Sequence, residues 1–339
     1  WPLVVMWPDN LFYSTQFQAT REMLAHPQRI DAADIHPEAY LSDYENQYRK
    51  FYEYPQDGIY TAEPCQAFPW LECIFGGQAF SENGSIATRP VCSGIREMDR
   101  LSLHKEDNPW YQKYIEFCRA LTEFSADRFS ISQPILRGVS DTLGSLVGPT
   151  QMIYNMMDEE ELVASAFHTI AEGQRELVAD QYKVTRPFRD GYSFGLYRVW
   201  APGKVMWFQE DLSALLSPDM FEDFLVETSE RILAGYDYTM MHLHSNGLQH
   251  LDRICGLKGL TAVQLNKDLM GPPIRDMVPA CRQILEAGKR VFLGMSEMSR
   301  EDIDAVYEGL PHRGIVLNIV PKDRKDAEEI MAYICSKNW

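Results

Sequence analysis

The stretch YTMMHLHSNGLQHLDRICGLKGLTAVQLN, residues 238–266, decides how the whole chain is read. Tyr238–Leu243 is an apolar run of strand length, Gly247–Cys255 reads as a helix, and Thr261–Leu265 is a second short apolar run. Strand, helix and strand in that order form the crossover unit that joins parallel strands. His242 and His244 close the first strand at i,i+2 spacing, which sends both imidazoles to one face.

The same alternation continues on both sides. Downstream come a helix over Pro273–Ala287 stopped by Gly288, a strand over Arg290–Leu293 and a helix over Ser299–Glu308. A strand over Gly314–Ile319 and a last helix over Asp323–Ile334 complete it. Upstream, Arg128–Leu136 and Lys204–Gln209 read as strands. Asp158–Lys183 reads as a helix with an acidic first turn and an apolar face of Leu162, Phe167, Ile170 and Leu177. Ser217-Pro218 opens a helix that runs to Leu233. Residues 1–127 contain one clear strand, Leu3–Trp7, and a Tyr/Trp/Pro-rich stretch with helical segments over Gln16–Leu24 and Asp107–Ala126. The expected fold is a single α/β domain, a (β/α)8 TIM barrel, with residues 1–127 as first strand plus helical insertion and 128–339 as regular β/α units. An open doubly wound sheet is the alternative. It lacks the Gly-rich phosphate loop after a strand, and the same absence argues against a nucleotide cofactor.

Composition narrows the function. The chain has 339 residues, 45% hydrophobic and 24% charged, which are globular values. With 32 Lys+Arg against 49 Asp+Glu its formal net charge is −17, so phosphate backbones and anionic membranes are repelled and nucleic acid is not an expected partner. No apolar run approaches the roughly 20 residues of a membrane helix. Seven scattered cysteines, without CxxC pairs, fit reduced thiols, and a cytoplasmic location is expected.

In a barrel the reacting groups follow the carboxyl ends of the strands. Read in order, these are Trp7 and Asp9; Arg137 and Asp141; Gln209, Glu210 and Asp211; His242, His244 and Asn246; Gln264 and Asn266; Glu297; and Asn318. Two neutral imidazoles with a carboxylate could hold zinc, three protein ligands leaving one position open. Glu297 is the first choice for the third ligand and Asp211 the second; the plain alternative is that both histidines are hydrogen-bonded pocket residues. Of Glu210 and Asp211 only one can face the pocket, because neighbours on a strand point to opposite sides, and Asp211 is the favoured one. Arg137 could bind a substrate carboxylate and Asp141 transfer a proton, or the two could be a surface ion pair. Trp7, Asp9, Glu72, Glu210, Asn246, Gln264, Asn266 and Asn318 are expected around a small-molecule substrate. The aromatic run Trp7, Tyr13, Tyr40, Tyr44, Tyr48, Tyr52, Tyr54, Tyr60 and Trp70 would suit a lid over a flat or apolar ligand, but at this spacing it suits a helical core better.

The order of PWLECIFGG (69–77), QPILRGVSDTLGSLVG (133–148), FQEDLSALLSPDMFEDF (208–224), the opening stretch and AGKRVFLGMS (287–296) resembles the uroporphyrinogen decarboxylase superfamily, which includes corrinoid-linked methyltransferases, over Leu3 to about Ile334. The resemblance implies a barrel with a deep pocket at the carboxyl end. Where the decarboxylases carry an arginine-rich loop for substrate propionates, this chain has WPDNLFYST (7–15), so uroporphyrinogen is not the expected substrate. Zinc-dependent methyltransferases of the family use His-x-Cys after one strand and a Cys after the last. Here His242-Leu243-His244 and Leu317-Asn318-Ile319-Val320 stand there, leaving one ligand matched, one exchanged and one absent. What the resemblance implies first is methyl transfer from a methylated small molecule, with zinc and a corrinoid carried on a partner protein. A decarboxylase or other lyase acting on a small carboxylated compound is the alternative, and a non-catalytic binding barrel the third.

Overall fold

The computed structural model describes residues 1–8, 16–100, 103 and 105–339; Asp9 and Tyr13 lie outside them. Thirteen strands are described. The first half of the chain holds β1 (Leu3–Met6), β2 (Gln28–Ile30), β3 (Thr61–Ala62), β4 (Gln78–Glu82), β5 (Ser85–Arg89) and β6 (Ser130–Ile131). The second half holds β7 (Tyr192–Phe194), β8 (Val199–Ala201), β9 (Val205–Gln209), β10 (Tyr238–Leu243), β11 (Ala262–Asn266), β12 (Arg290–Ser296) and β13 (Ile315–Ile319). Twelve α-helices accompany them among the described residues, and none is long and apolar enough to cross a membrane. All seven cysteines are free.

The fold is mixed α/β, centred on a six-stranded parallel sheet in the order β1-β13-β12-β11-β10-β9. Both faces are buried, which is why the strands are apolar nearly throughout. One face, with Met6, Phe208, Met241, Leu243, Val263, Leu265, Val291 and Leu317, packs into the large core cluster shared with the helices. The opposite face, with Val5, Trp7, Val205, Trp207, Met240, Ala262, Phe292 and Val316, builds a separate cluster. The two-residue period then places Gln209, His242, Gln264 and Asn318 on this second face, farther along the strands in their common direction.

The second cluster is completed by an antiparallel hairpin, β7 with β8, whose Phe194, Leu196, Tyr197 and Ala201 cover the sheet. Asn318 Nδ2 donates to the carbonyl of Tyr197 at 3.4 Å, tying the hairpin turn to β13.

Beyond β9 the ladder is carried by other means. Only Ser130 and Ile131 of the expected strand Arg128–Leu136 pair as β6, with β3 in parallel. Pro134 has no N–H to offer, and Gln133 supplies the link with its side chain, donating to Val205 O at 3.0 Å and accepting from Trp207 N at 3.3 Å. A parallel bridge between Arg137 and Gln209 follows, with Gly138 N donating to Gln209 O at 2.7 Å. At the other margin Asp57 N donates to Val4 O at 2.8 Å.

The remaining helices fall close to the expected ranges: Gln18–Leu24, Pro109–Ser125, Glu160–Val184, Pro218–Leu233, Ile274–Glu286, Arg300–Gly309 and Arg324–Ser336. The expected helix Gly247–Cys255 is a 3-10 turn, Ser245–His250, running into a short α-helix, Leu251–Gly256. Within the aromatic run, Tyr40 and Tyr44 are buried at one end of the helix Leu41–Phe51, with Tyr60 and Trp70 in the same core cluster, whereas Tyr52 is exposed. The sequence reading does not anticipate the antiparallel sheet β2-β4-β5 or the consecutive helices Val139–Val147 and Pro149–Asp158.

Replacing Gln133 by Leu keeps the volume and strands the Trp207 N–H in an apolar interior. A destabilisation of about 2 kcal/mol is expected from urea unfolding of the purified variant.

Candidate functional site

Two loops that end neighbouring strands build the site by capping each other. Glu210, next after β9, is buried and accepts from Val139 N at 2.8 Å, from Ser140 N at 3.0 Å and from the Ser140 hydroxyl, so it closes the N-terminus of the helix Val139–Val147. Asp141 in that helix reaches back and accepts from Asp211 N at 2.9 Å and Leu212 N at 2.7 Å, closing the 3-10 turn Asp211–Leu215. Gly138 is required where the loops cross, since a Cβ there would collide with Glu210 Oε1 and Gln209 O. Burial pushes the Glu210 carboxyl up to about 7 against its hydrogen bonds from Ser140 and Val139. Burial, then the nearby Asp211 and Glu210, push Asp141 well above the carboxylate range.

This arrangement turns Asp211 toward the histidines. Its Oδ2 accepts from Gln209 Nε2 at 2.7 Å. Its Oδ1 stands 4.0 Å from His242 Nε2 and 3.8 Å from His244 Nε2, closed off from solvent and without any hydrogen-bond partner. The two imidazoles are 4.7 Å apart between centroids and nearly perpendicular, so their Nε2 atoms and Asp211 converge on a common point with all donor atoms within 4.8 Å.

The outer nitrogens are held from behind. His242 Nδ1 is in contact with Gln264 Oε1, and the Tyr197 hydroxyl lies 3.2 Å from the same nitrogen and 3.4 Å from the same amide oxygen. His244 Nδ1 bonds Asp268 Oδ1 at 2.6 Å. With acceptors at both Nδ1 atoms, each Nδ1 is set to donate outward, and in the neutral ring Nε2 then turns its lone pair into the site. Burial holds His242 below the ordinary imidazole range although Asp211 pulls the other way, so the ring is neutral at pH 7. Burial would raise Asp268, but hydrogen bonds from Ser245, His244 and Asn266 outweigh it and keep the carboxyl below its usual range.

A buried acceptor facing two imidazole lone pairs is unfavourable unless a cation or proton lies between them. Two imidazoles and a carboxylate are a donor set suited to zinc and related divalent ions. Bonds of about 2.0–2.1 Å in a tetrahedron put ligand atoms about 3.3 Å apart, so the Asp211–imidazole separations of 4.0 and 3.8 Å would have to shorten by roughly 0.5–0.7 Å.

Several expected positions lie elsewhere. Glu297 is not part of the cluster: β12 has a register shift at Gly294–Ser296, with Gly294 and Met295 at positive φ, and this bulge sends Glu297 outward. Its side chain is 69% exposed and 3.9 Å from Lys322 Nζ. Trp7 is packed in the inner cluster, and Asn246 is exposed on the Ser245–His250 turn. Asp141 is a buried cap whose oxygens both accept backbone N–H groups, and Glu210 likewise serves the helix terminus. Arg137 pairs with Glu72, which replaces the expected Arg137–Asp141 surface pair. Gln264 and Asn266 stand behind the histidines, and Asn318 is buried with its Oδ1 unpartnered. Tyr197 and Asp268 were missed. Asp268 shares strand parity with Asn266 and Gln264, the one signal that could have found it; Tyr197 belongs to a hairpin with no β/α signature.

No known protein family and no curated protein matches the sequence. Among solved structures, the chain is similar to a B12-independent methionine synthase from Shewanella sp. W3-18-1 in complex with selenomethionine, at 10% identity and a TM-score of 0.42. The match covers 65% of this chain and 63% of that one, less than two thirds of its length.

The Glu210 shift has a definite sign. The folded acid keeps its proton up to about pH 7 whereas the unfolded one releases it near 4.5, so this group's contribution to stability is lost as pH rises through that window. Glu210→Gln, which resembles the protonated acid, should therefore gain stability relative to wild type between pH 5 and pH 8, measured by urea unfolding at both values. Gly138→Ala should cost about 2 kcal/mol in the same assay by forcing the crossed loops apart.

Proposed function

We propose that the chain is a (β/α)8-barrel enzyme that binds a divalent metal, zinc first, through Asp211, His242 and His244 and transfers a methyl group from a methylated small molecule. The barrel reading is supported by continuity of the parallel order: β9 passes through the Gln133 and Arg137 links to β6, β6 pairs with β3, and the segment before β3 returns to β1. Eight strands would then close, with the metal ligands at the carboxyl end. The observation that carries the metal reading is Asp211 Oδ1, shut away from water with no partner and faced by two imidazole nitrogens.

A divalent ion held by Asp211, His242 and His244 would supply Lewis acidity to the heteroatom that bears the methyl group. Imidazole and carboxylate donors in place of thiolate suit oxygen- and nitrogen-bearing ligands, which favours an ether or amine over a thiol. The chain's own residues prepare the site. Burial keeps His242 neutral, Gln264 and Asp268 fix the tautomers and ring orientations, and the crossed caps hold Asp211 in place. The methyl acceptor would be a corrinoid on a partner protein; the broken bond's electron pair stays with the substrate heteroatom, which takes up a proton on release.

Metal analysis of purified protein should find about one zinc per chain, and His242→Ala, His244→Ala and Asp211→Ala should each lose it while Glu297→Ala retains it. Asp268→Asn should weaken zinc binding by about 10- to 100-fold, read by competition with a chromophoric chelator. Methylation of cob(I)alamin by a panel of methyl ethers and methylamines, followed by its absorbance change, should be abolished by chelation and restored by zinc. Negligible zinc with chelator-resistant activity would overturn the metal reading.

A further inference from the structure

Arg137 is a strand-end cation beside the site, and its two ends live in different surroundings. Its backbone bridges to Gln209, two residues before Asp211. Its Nη1 donates to Glu72 Oε1, and that carboxylate is only 2% exposed while the Arg137 side chain is 38% exposed. Glu72 sits in the short helix Trp70–Ile74, buried on all five residues, so the guanidinium is anchored to a rigid part of the core. Its register with Gln209 sends its side chain to the same sheet face as that of Gln209, whose Nε2 donates to Asp211 Oδ2 at 2.7 Å, so the guanidinium belongs to the face that carries the Asp211–His242–His244 cluster.

The neighbouring carboxylates do not occupy its remaining edge. Both oxygens of Asp141 accept backbone N–H groups, Asp211 Oδ2 accepts from Gln209, and Asp211 Oδ1 faces the imidazoles. A guanidinium has five N–H donors, and among the described residues Glu72 is its hydrogen-bond partner. Among the described residues the fork is thus held on one side by Glu72 while the side chain remains partly exposed, an arrangement suited to a planar anion taken through two parallel hydrogen bonds.

Resting on the metal reading, we infer that Arg137, positioned by Glu72, is the subsite for a carboxylate on the substrate, so that the enzyme acts on a small acid whose reacting heteroatom reaches the metal while its carboxylate meets the guanidinium. A guanidinium already paired with the buried Glu72 suits a single negative charge and opposes a phosphate dianion. Arg137 is here a specificity-determining residue, and Glu72 a positioning residue that acts through it.

The test uses the full chain loaded with cobalt(II), whose visible bands report ligands entering the metal site. Mercaptoacetate and 2-mercaptoethanol are titrated as probes with and without a carboxylate, and inorganic phosphate and acetate are tested as competitors. The preference for mercaptoacetate over 2-mercaptoethanol should fall at least tenfold in Arg137→Gln, while cobalt content and 2-mercaptoethanol affinity stay at the wild-type level. Arg137→Lys should keep part of the preference, Glu72→Gln should weaken it, and phosphate should compete poorly. If the lone change unfolds the chain by leaving Glu72 buried without its partner, Arg137→Gln with Glu72→Gln, a neutral hydrogen-bonded pair, is read in its place. An unchanged preference in the Arg137 variant, or stronger competition by phosphate than by acetate, overturns the carboxylate subsite while leaving the metal reading intact. Absence of cobalt bands overturns the metal reading and removes this inference with it.

Discussion

The crossed caps of Glu210 and Asp141 are the constraint on which the site depends. Each loop ends a strand and begins a helical turn, and each lacks partners for its first N–H groups. Glu210 serves the helix that contains Asp141, and Asp141 serves the turn that begins with Asp211. Neither loop can move without stranding buried N–H groups of the other. The cost is two acidic groups taken out of water, which is why burial leads the upward shift of both. What results is one carboxylate, Asp211, whose direction follows from backbone hydrogen bonding and not from side-chain packing alone.

The histidines obtain their rigidity differently. His242 projects from the inner face of β10 onto a floor made by β11 and by the hairpin turn at Tyr197. His244 lies beyond the last paired residue of that strand and is held by Asp268, which also fixes Ser245 at 3.0 Å through its backbone N–H. The first imidazole is therefore set by the sheet and the second by a loop. Loss of Asp268 would free one ring and leave the other in place.

Alternating burial ties these features to the fold. The inner face is apolar at Val205, Met240, Ala262, Phe292 and Val316 and turns polar toward the carboxyl ends at Gln209, His242, Gln264 and Asn318. The apolar layer and the hairpin that covers it exclude water beneath the polar layer, so charge placed there acts through a low-dielectric surrounding. Trp7 belongs to the apolar cluster despite following β1.

The β/α order from Lys204 onward was legible in the sequence because apolar strand runs and capped amphipathic helices are local properties, set by periodicity and by residues such as Ser217, Pro218 and Gly288. The pairing of His242 with His244 was legible for the same reason, through the two-residue strand period, and so was the rule that one of Glu210 and Asp211 turns inward. The third member of the cluster was not legible. Glu297 and Asp211 stood equally at strand ends, and only the bulge at Gly294–Ser296 and the crossed caps, both products of contacts between residues far apart in sequence, sent one outward and aimed the other at the imidazoles. Gln133 acting as a ladder, Tyr197 under His242 and Glu72 behind Arg137 were likewise decided by tertiary structure, since each depends on a partner brought near by packing and none leaves a periodic trace along the chain.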